Sequence, residues 1–210
     1  MVRYLEDDAQ GGNGVPRQVD RAAQGDRLSE AVWEVLAGQG IERLTLRAVA
    51  AAAGCTTGLV LHRFANRQAL LLHARMLLHE RVRERVERLE REAASPAAAL
   101  RAILAQAMAL DAPMQAENRV WVGFLGAALG DDALLAAHRR ANHAWQERIA
   151  RLVQVVTPER TDGEALRIAR ALIALTSGAA TLAVADPASY DAATQAAMLD
   201  DALRGYGLAG

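Results

Sequence analysis

Lysine, paired cysteines and aromatic residues are scarce or missing in this sequence. All 24 basic residues are arginine, Cys55 is the only cysteine, and aromatic residues make up 4% of the chain. A single cysteine excludes an internal disulfide. Strand signals are also few, because β-branched alternation and Asn-Gly hairpin turns are nearly absent. With 52% hydrophobic and 23% charged residues, the chain is too apolar to be mainly disordered, so we predict an all-α globular protein.

Patterns typical of catalytic and metal-binding residues are missing as well. The sequence has no HExxH motif, no pair of Glu-x-x-His motifs and no glycine-rich phosphate loop. His138 and His143 lie five residues apart, which is the wrong spacing for one metal-binding face of a helix. We therefore predict no catalytic site, no metal site, no cofactor and no enzymatic activity.

Long uncharged apolar runs are also lacking. The longest, residues 171–185, is shorter than the roughly 20 residues with which a helix crosses a bilayer. The first 17 residues contain acidic side chains and no apolar segment typical of a signal peptide, and their composition predicts a disordered tail. We therefore expect a cytoplasmic protein that has no membrane partner.

Helical periodicity along the rest of the chain predicts about nine helices. A first helix ends at Gly40, and a long fourth helix begins near Asn66. The second half of that helix is rich in arginine and glutamate, which is typical of a solvated helix face. Ser95 and Pro113 are expected to delimit the fifth helix, so that the sixth begins near Met114.

The most informative segment is residues 45–70, where two short helices flank a glycine turn. From Leu46 onward, apolar residues recur at i, i+3, i+4 and i+7 and define one helical face. Thr45 and Thr56 are suitable N-caps, and Gly54 stands where a helix C-terminus favours a left-handed residue. This organisation is that of a helix-turn-helix, whose second helix enters the major groove of DNA.

A local excess of positive charge coincides with this motif. The whole chain has a net charge of −1, whereas residues 41–67 contain four arginines and one acidic residue, Glu42. Contacts to phosphates supply most of the sequence-independent affinity of a DNA-binding protein. A basic segment within a protein that is near neutral as a whole therefore favours double-stranded DNA as a partner.

An ordered set of residues in this region resembles the N-terminal domain of TetR-family regulators. Residues 27–40 match the first helix of that domain, and Thr57 stands where many members have lysine. Leu61 or Arg63 stands where many members have an aromatic residue. The matching residues are Ile41, Thr45, Val49, Ala50, Ala53, Gly54, Gly58, His62, Phe64, Asn66, Arg67, Ala69 and Leu70.

The resemblance implies that the second short helix contacts DNA bases and that its surroundings contact phosphates. Thr56, Thr57 and Leu59 lie in the N-terminal part of that helix, where base edges are read. The alternative is that these three residues only cap the helix and fill space. The predicted DNA-binding residues are Thr45, Arg47, Thr56, Thr57, Gly58, Leu59, His62, Arg63, Asn66 and Arg67.

Residues 119–153 resemble the ligand-binding domain of the betaine-regulator-like subgroup of TetR proteins. His138 and Asn142 interrupt an otherwise apolar helix face there. They therefore form hydrogen bonds either within the core or with a bound ligand. The tryptophans could also form part of an aromatic cage for a quaternary ammonium ligand. The predicted pocket for a small organic effector comprises Met108, Trp121, Phe124, His138, Asn142, Trp145, Thr176 and Ser177.

The predicted eighth helix is apolar nearly all round, which requires packing on more than one side. One side can pack on the ligand-binding core and another on a second copy of the chain. The alternative is a monomer whose ninth helix covers the eighth. The predicted homodimer interface comprises Leu175, Gly178, Ala179, Leu182, Ala193, Ala196 and Ala197.

These features predict three segments: a disordered tail (1–17), a helix-turn-helix DNA-binding domain (18–66) and a helical ligand-binding and dimerisation domain (67–210). The family resemblance implies a transcriptional repressor that a small organic effector releases from a pseudo-palindromic operator. Two other functions are considered: an all-α enzyme or lipid-binding helical bundle with a vestigial helix-turn-helix, and a protein-interaction module.

Overall fold

The computed structural model describes residues 16–209, with side-chain surroundings from residue 23 onward. The described part contains α-helices, one short 3-10 helix (Ile41–Arg43) and no strand, which confirms the all-α prediction. The predicted tail lies outside the described residues except for Pro16 and Arg17, which are helical. The helices are α1 (Pro16–Gln39), α2 (Leu46–Ala52), α3 (Thr57–Arg63), α4 (Arg67–Glu92), α5 (Pro96–Ala105), α6 (Ala112–Ala128), α7 (Asp132–Val156), α8 (Asp162–Ala185) and α9 (Ala192–Gly205).

Each helix from α2 to α9 begins after a Thr, Asn, Ser or Asp whose side-chain oxygen accepts a hydrogen bond from the first turn. This satisfies a backbone N–H that has no partner within the helix. The expected start of α6 near Met114 is wrong, because Asp111 caps the helix and Pro113 lies in its first turn. Proline fits there since that turn needs no backbone donor.

The buried side chains form two hydrophobic clusters. The first joins α1 to α4 with part of α6 and the start of α7, and includes Leu70, Leu78 and Phe124. The second joins the end of α4 with α5, α7, α8 and α9. Because α4 contributes to both clusters, and α6 packs on α1 as well as on α7 and α8, these two helices connect the halves of the chain.

Helix α8 is the central helix of the C-terminal half. It packs against α5, α6, α7 and α9. Among the described residues it is also the one helix whose length and composition would allow it to cross a membrane, a property shared by core helices of soluble proteins. Its contacts with four helices account for the apolar residues on its buried side.

Candidate DNA-binding surface and ligand cavity

The turn between α2 and α3 is held by local hydrogen bonds that its sequence supplies. Thr45 Oγ1 accepts from the Ala48 N–H at 3.1 Å, and Thr56 Oγ1 accepts from the Leu59 N–H at 3.3 Å. Gly54 has a φ of 61°, a left-handed conformation that glycine adopts without steric cost. These geometries confirm the predicted caps and the predicted glycine turn.

Helix α3 is buried on one face and exposed on the other. Val60 is fully buried, whereas Thr57, Gly58 and His62 are exposed. Leu61 is 47% exposed and was not among the predicted DNA-binding residues. An exposed leucine between polar residues on a short, capped helix is compatible with contact to a thymine methyl group.

The other predicted DNA-binding residues surround this face, and nine of the ten are exposed, Leu59 being half-buried. Three of the nine have structural tasks as well, since Thr45, Thr56 and Asn66 cap α2, α3 and α4. The Arg67 Nη2 donates to the carbonyl oxygen of Ile41 at 3.2 Å. Arg67 is therefore partly engaged within the protein, whereas no hydrogen bond ties the side chains of Arg47 and Arg63 to other described residues.

A cavity of about 350 Å³ lies between α4, α6, α7 and α8. Its volume is in the range of small-molecule sites. Five of the eight predicted pocket residues line it: Met108, Trp121, Asn142, Trp145 and Ser177.

The other three predicted pocket residues lie elsewhere. Phe124 is buried in the first cluster, against the DNA-binding half. The Thr176 hydroxyl is buried and donates to the carbonyl oxygen of Leu172 at 3.0 Å. The His138 ring lies 5.5 Å from the Trp121 ring, centroid to centroid, outside the cavity lining. Burial, and then the charge of Arg75, lower the pKa of His138.

Charged residues of α4 also line the cavity, and none of them was among the predicted pocket residues. Arg85, on the face predicted to be solvated, donates to both Glu117 oxygens at 2.5 and 3.1 Å and to Gln106 Oε1 at 3.1 Å. Arg75 also lines the cavity, with its guanidinium 4.9 Å from the Trp121 ring centroid. The partners lie 21 to 46 residues away on other elements, so the local charge pattern carries no signal for this cluster.

Helix α6 connects the cavity to the DNA-binding half. Asn118 and Trp121 of α6 line the cavity, and Gly123 lies against Ile41 of the 3-10 helix that precedes α2. A Cβ atom at Gly123 would be 2.5 Å from Ile41 Cγ2, so glycine is required for this close approach. Displacement of α6 by a ligand would therefore move the 3-10 helix and the helices that follow it.

The predicted dimer interface is mostly accessible. Ala179 is the exception, because it is 2% exposed and packs within the second cluster of its own chain. It lies on the side of α8 that faces the core, so it is not available to a partner. The remaining residues are at least partly exposed: Leu175, Gly178, Leu182, Ala193, Ala196 and Ala197.

Two family models match the chain. Residues 28–74 match the model of bacterial regulatory proteins of the tetR family, and residues 96–207 match the C-terminal domain of BetI-type transcriptional repressors. The HTH-type transcriptional regulator PksA of Bacillus subtilis (strain 168) is 26% identical over 174 residues, which cover 82% of this chain and 84% of PksA.

Solved structures have the same fold. A transcriptional regulator from Rhodococcus sp. RHA1 is 28% identical with a TM-score of 0.75, covering 86% of this chain and 96% of its own. A protein from Saccharomonospora viridis in complex with choline is 17% identical with a TM-score of 0.78, covering 88% of this chain and 96% of its own. Because the BetI-type match alone covers more than half of the chain, this protein belongs to the tetR family: it is a ligand-responsive, DNA-binding transcriptional regulator and not an enzyme.

Proposed function

We propose that this regulator is a cytoplasmic homodimeric repressor that a small organic effector releases from a pseudo-palindromic operator. The observation that carries the proposal is the position of α6, which lines the cavity at Trp121 and touches the DNA-binding half at Gly123. In this proposal α6 has two positions, one that permits operator binding and one that does not. A ligand that binds one position more tightly than the other shifts the equilibrium between them. An electrophoretic mobility shift with the DNA flanking its own gene, with and without effector, tests the proposal.

In this proposal, α3 enters the major groove and presents Thr57, Gly58 and Leu61 to base edges. Thr45 and Thr56 accept hydrogen bonds from backbone N–H groups, which leaves their O–H groups able to donate to phosphates. Arg47 and Arg63 then supply charge at the edges of the groove. The DNA-binding role of each of these residues is part of the proposal.

Replacing Arg47 or Arg63 by Ala should weaken operator binding to a similar extent for all sequences. Each loss removes one phosphate contact, so the slope of log K against log salt concentration should become shallower by about one unit. Fluorescence anisotropy over a salt series measures both effects. Arg151→Ala, an exposed arginine near the end of α7, is the matched control and should leave the slope unchanged. Equal slopes for wild type and the Arg47→Ala, Arg63→Ala double variant would contradict this assignment.

Homodimerisation is proposed through α8 and α9. Ala171, Ala174, Gly178, Leu182 and Ala185 recur at intervals of three and four on α8, and all are at least partly exposed. Such a row forms one face of a helix, and small residues allow a second helix to approach closely. On α9, Ala193 and Ala197 add a further exposed apolar surface.

Filling the cavity should block release by the effector without impairing operator binding. Ala141 of α7 lines the cavity, so Ala141→Phe places a ring in the space that the ligand needs. The effector concentration for half-release should rise by about 5- to 140-fold, since overpacking costs about 1–3 kcal/mol. His143→Phe, exposed on the same helix and outside the lining, is the control. A thermal-shift screen for effectors followed by release assays provides the measurement, and unchanged release in Ala141→Phe would refute the placement of the site.

A further inference from the structure

We propose that the effector is an amphipathic organic anion whose carboxylate-like head group pairs with Arg75 while its apolar body fills the cavity beside Trp145. This inference rests on the proposed function of the cavity as the effector site. It deepens that function by assigning the chemical class of the ligand.

The charges that line the cavity are unevenly paired. The lining contains four arginines but only two glutamates, Glu87 and Glu117. Both glutamates already accept hydrogen bonds from arginine, so their negative charges are balanced within the protein. Three of the four arginines have carboxylate partners: Arg83 with Glu87 at 2.7 Å, Arg85 with Glu117 at 2.5 Å, and Arg148 with Glu90 at 2.5 Å.

Arg75 is the fourth arginine, and among the residues that the structure describes its charge has no counterpart. The residue is 7% exposed, and its side chain forms no hydrogen bond or ion pair with any other described residue. The central carbon of its guanidinium lies over the face of the Trp121 ring, 4.9 Å from the ring centroid. A buried cation without a partner is unfavourable, and an anion from the ligand would satisfy both its charge and its N–H donors.

Further polar residues line the same cavity. Arg148 is one of them, and its Nη2 is already paired with Glu90. The Asn142 amide and the Ser177 hydroxyl line the cavity and form no side-chain hydrogen bond within the described part of the chain. Anionic oxygens accept several hydrogen bonds at once, so an anionic head group can use polar donors of the lining besides Arg75. Large apolar side chains of the lining fit a hydrocarbon or aromatic body: Leu78, Val82, Met108, Met114, Trp145 and Ile173.

A quaternary ammonium ligand, such as the choline bound by the Saccharomonospora viridis protein, fits this cavity less well. The Trp121 face that would hold such a cation already lies against the Arg75 guanidinium. A second cation there would be repelled by Arg75, and the lining carboxylates are already paired. The aromatic-cage alternative considered from the sequence is therefore disfavoured by the charge of this site.

Two fluorescent dyes with the same aromatic body test the inference on the full-length protein. 8-Anilinonaphthalene-1-sulfonate carries an anionic group, and N-phenyl-1-naphthylamine lacks it. Energy transfer from the tryptophans reports bound dye, and its loss in Ala141→Phe places that dye in the cavity. The anionic dye should bind wild type at least about tenfold more tightly than the neutral dye, since a charge-assisted hydrogen bond in a buried site has at least that effect. Arg75→Gln should abolish the difference and retain the neutral dye.

Matched controls separate the possible failures. Arg83→Gln removes a lining arginine that is already paired, so it should keep the preference for the anionic dye. Decanoate should displace the bound dye at lower concentration than decyltrimethylammonium. An equal preference in wild type and Arg75→Gln, or stronger displacement by decyltrimethylammonium, would overturn the anion assignment alone. If wild type binds neither dye, the proposed effector cavity itself fails.

Discussion

The Gly178→Arg variant should be a monomer and should bind the operator about 10²- to 10⁴-fold more weakly than wild type. A dimer binds two half-sites together. Loss of the partner therefore removes the gain in affinity that comes from linking two DNA-binding domains. Gly178 lies in the middle of the exposed row on α8, and a Cβ atom there would meet no atom of another helix within 4 Å. The arginine therefore places a charge in the interface without disturbing the fold of the monomer.

Sedimentation velocity at micromolar concentration, together with anisotropy on operator DNA, measures both effects of Gly178→Arg. Leu129→Arg is the matched control, since Leu129 at the end of α6 is 83% exposed and lies outside α8 and α9. It adds the same charge at an exposed apolar position and should remain a dimer with normal affinity. Sedimentation of wild type as a monomer, or of Gly178→Arg as an unimpaired dimer, would show that α8 is not the interface.

Local features of the fold are predictable from the sequence because they depend on neighbouring residues. Thr45, Thr56 and Ser95 each accept a hydrogen bond from a backbone N–H three residues later, so a capping pattern suffices to locate the helix starts. Gly54 is similarly local, because its left-handed conformation depends on the turn alone. The start of α6 was misplaced because Pro113 can either end a helix or occupy a first turn, and only the cap at Asp111 decides.

The cavity is less predictable because its chemistry depends on pairing between distant elements. The apolar face of α7 correctly indicated that Asn142 and Trp145 face inward together, and both line the cavity. The same periodicity also placed His138 in the pocket, whereas its ring packs against Trp121 outside the cavity lining. Periodicity cannot distinguish a residue that lines a cavity from one that packs against a lining residue. The burial of Arg75 left no trace in the sequence either, since the surrounding arginines and glutamates resemble a solvated helix face.

The side of α8 that faces the core is also hard to predict from the sequence. Apolar residues surround this helix, so the sequence predicts that it is covered on several sides without indicating which side faces the core. Ala179 was therefore assigned to the interface although it packs inside the chain, whereas Gly178, one residue earlier, points away from the core. A difference of one residue rotates the side chain by about 100° around the helix axis. Only the packing of α8 against its neighbours separates these two positions.

The Gly123→Ala variant should uncouple the DNA-binding half from the cavity. Its new methyl group would be 2.5 Å from Ile41 Cγ2, and Ile41 is buried and β-branched, so α6 and the 3-10 helix must separate. We expect a loss of about 1–3 kcal/mol in the free energy of unfolding, as for other overpacked cores. Operator affinity should fall as well, because two groups of the DNA-binding half depend on the position of Ile41. Arg67 is hydrogen-bonded to the carbonyl oxygen of Ile41, and Thr45, the N-cap of α2, lies four residues after it. Dimerisation and dye binding in the cavity should be retained.

A double-mutant cycle with Ile41→Ala isolates this contact from other effects of either substitution. Ile41→Ala alone leaves a cavity and should cost about 2–5 kcal/mol in stability. In the double variant the methyl group added at position 123 can use space that the Ile41 side chain leaves, so the combined loss should be smaller than the sum by about 0.5–3 kcal/mol. Chemical denaturation measures the stabilities, and operator binding with and without effector measures the coupling. Strict additivity in stability, together with a normal effector response in Gly123→Ala, would mean that α6 does not transmit ligand binding through Ile41.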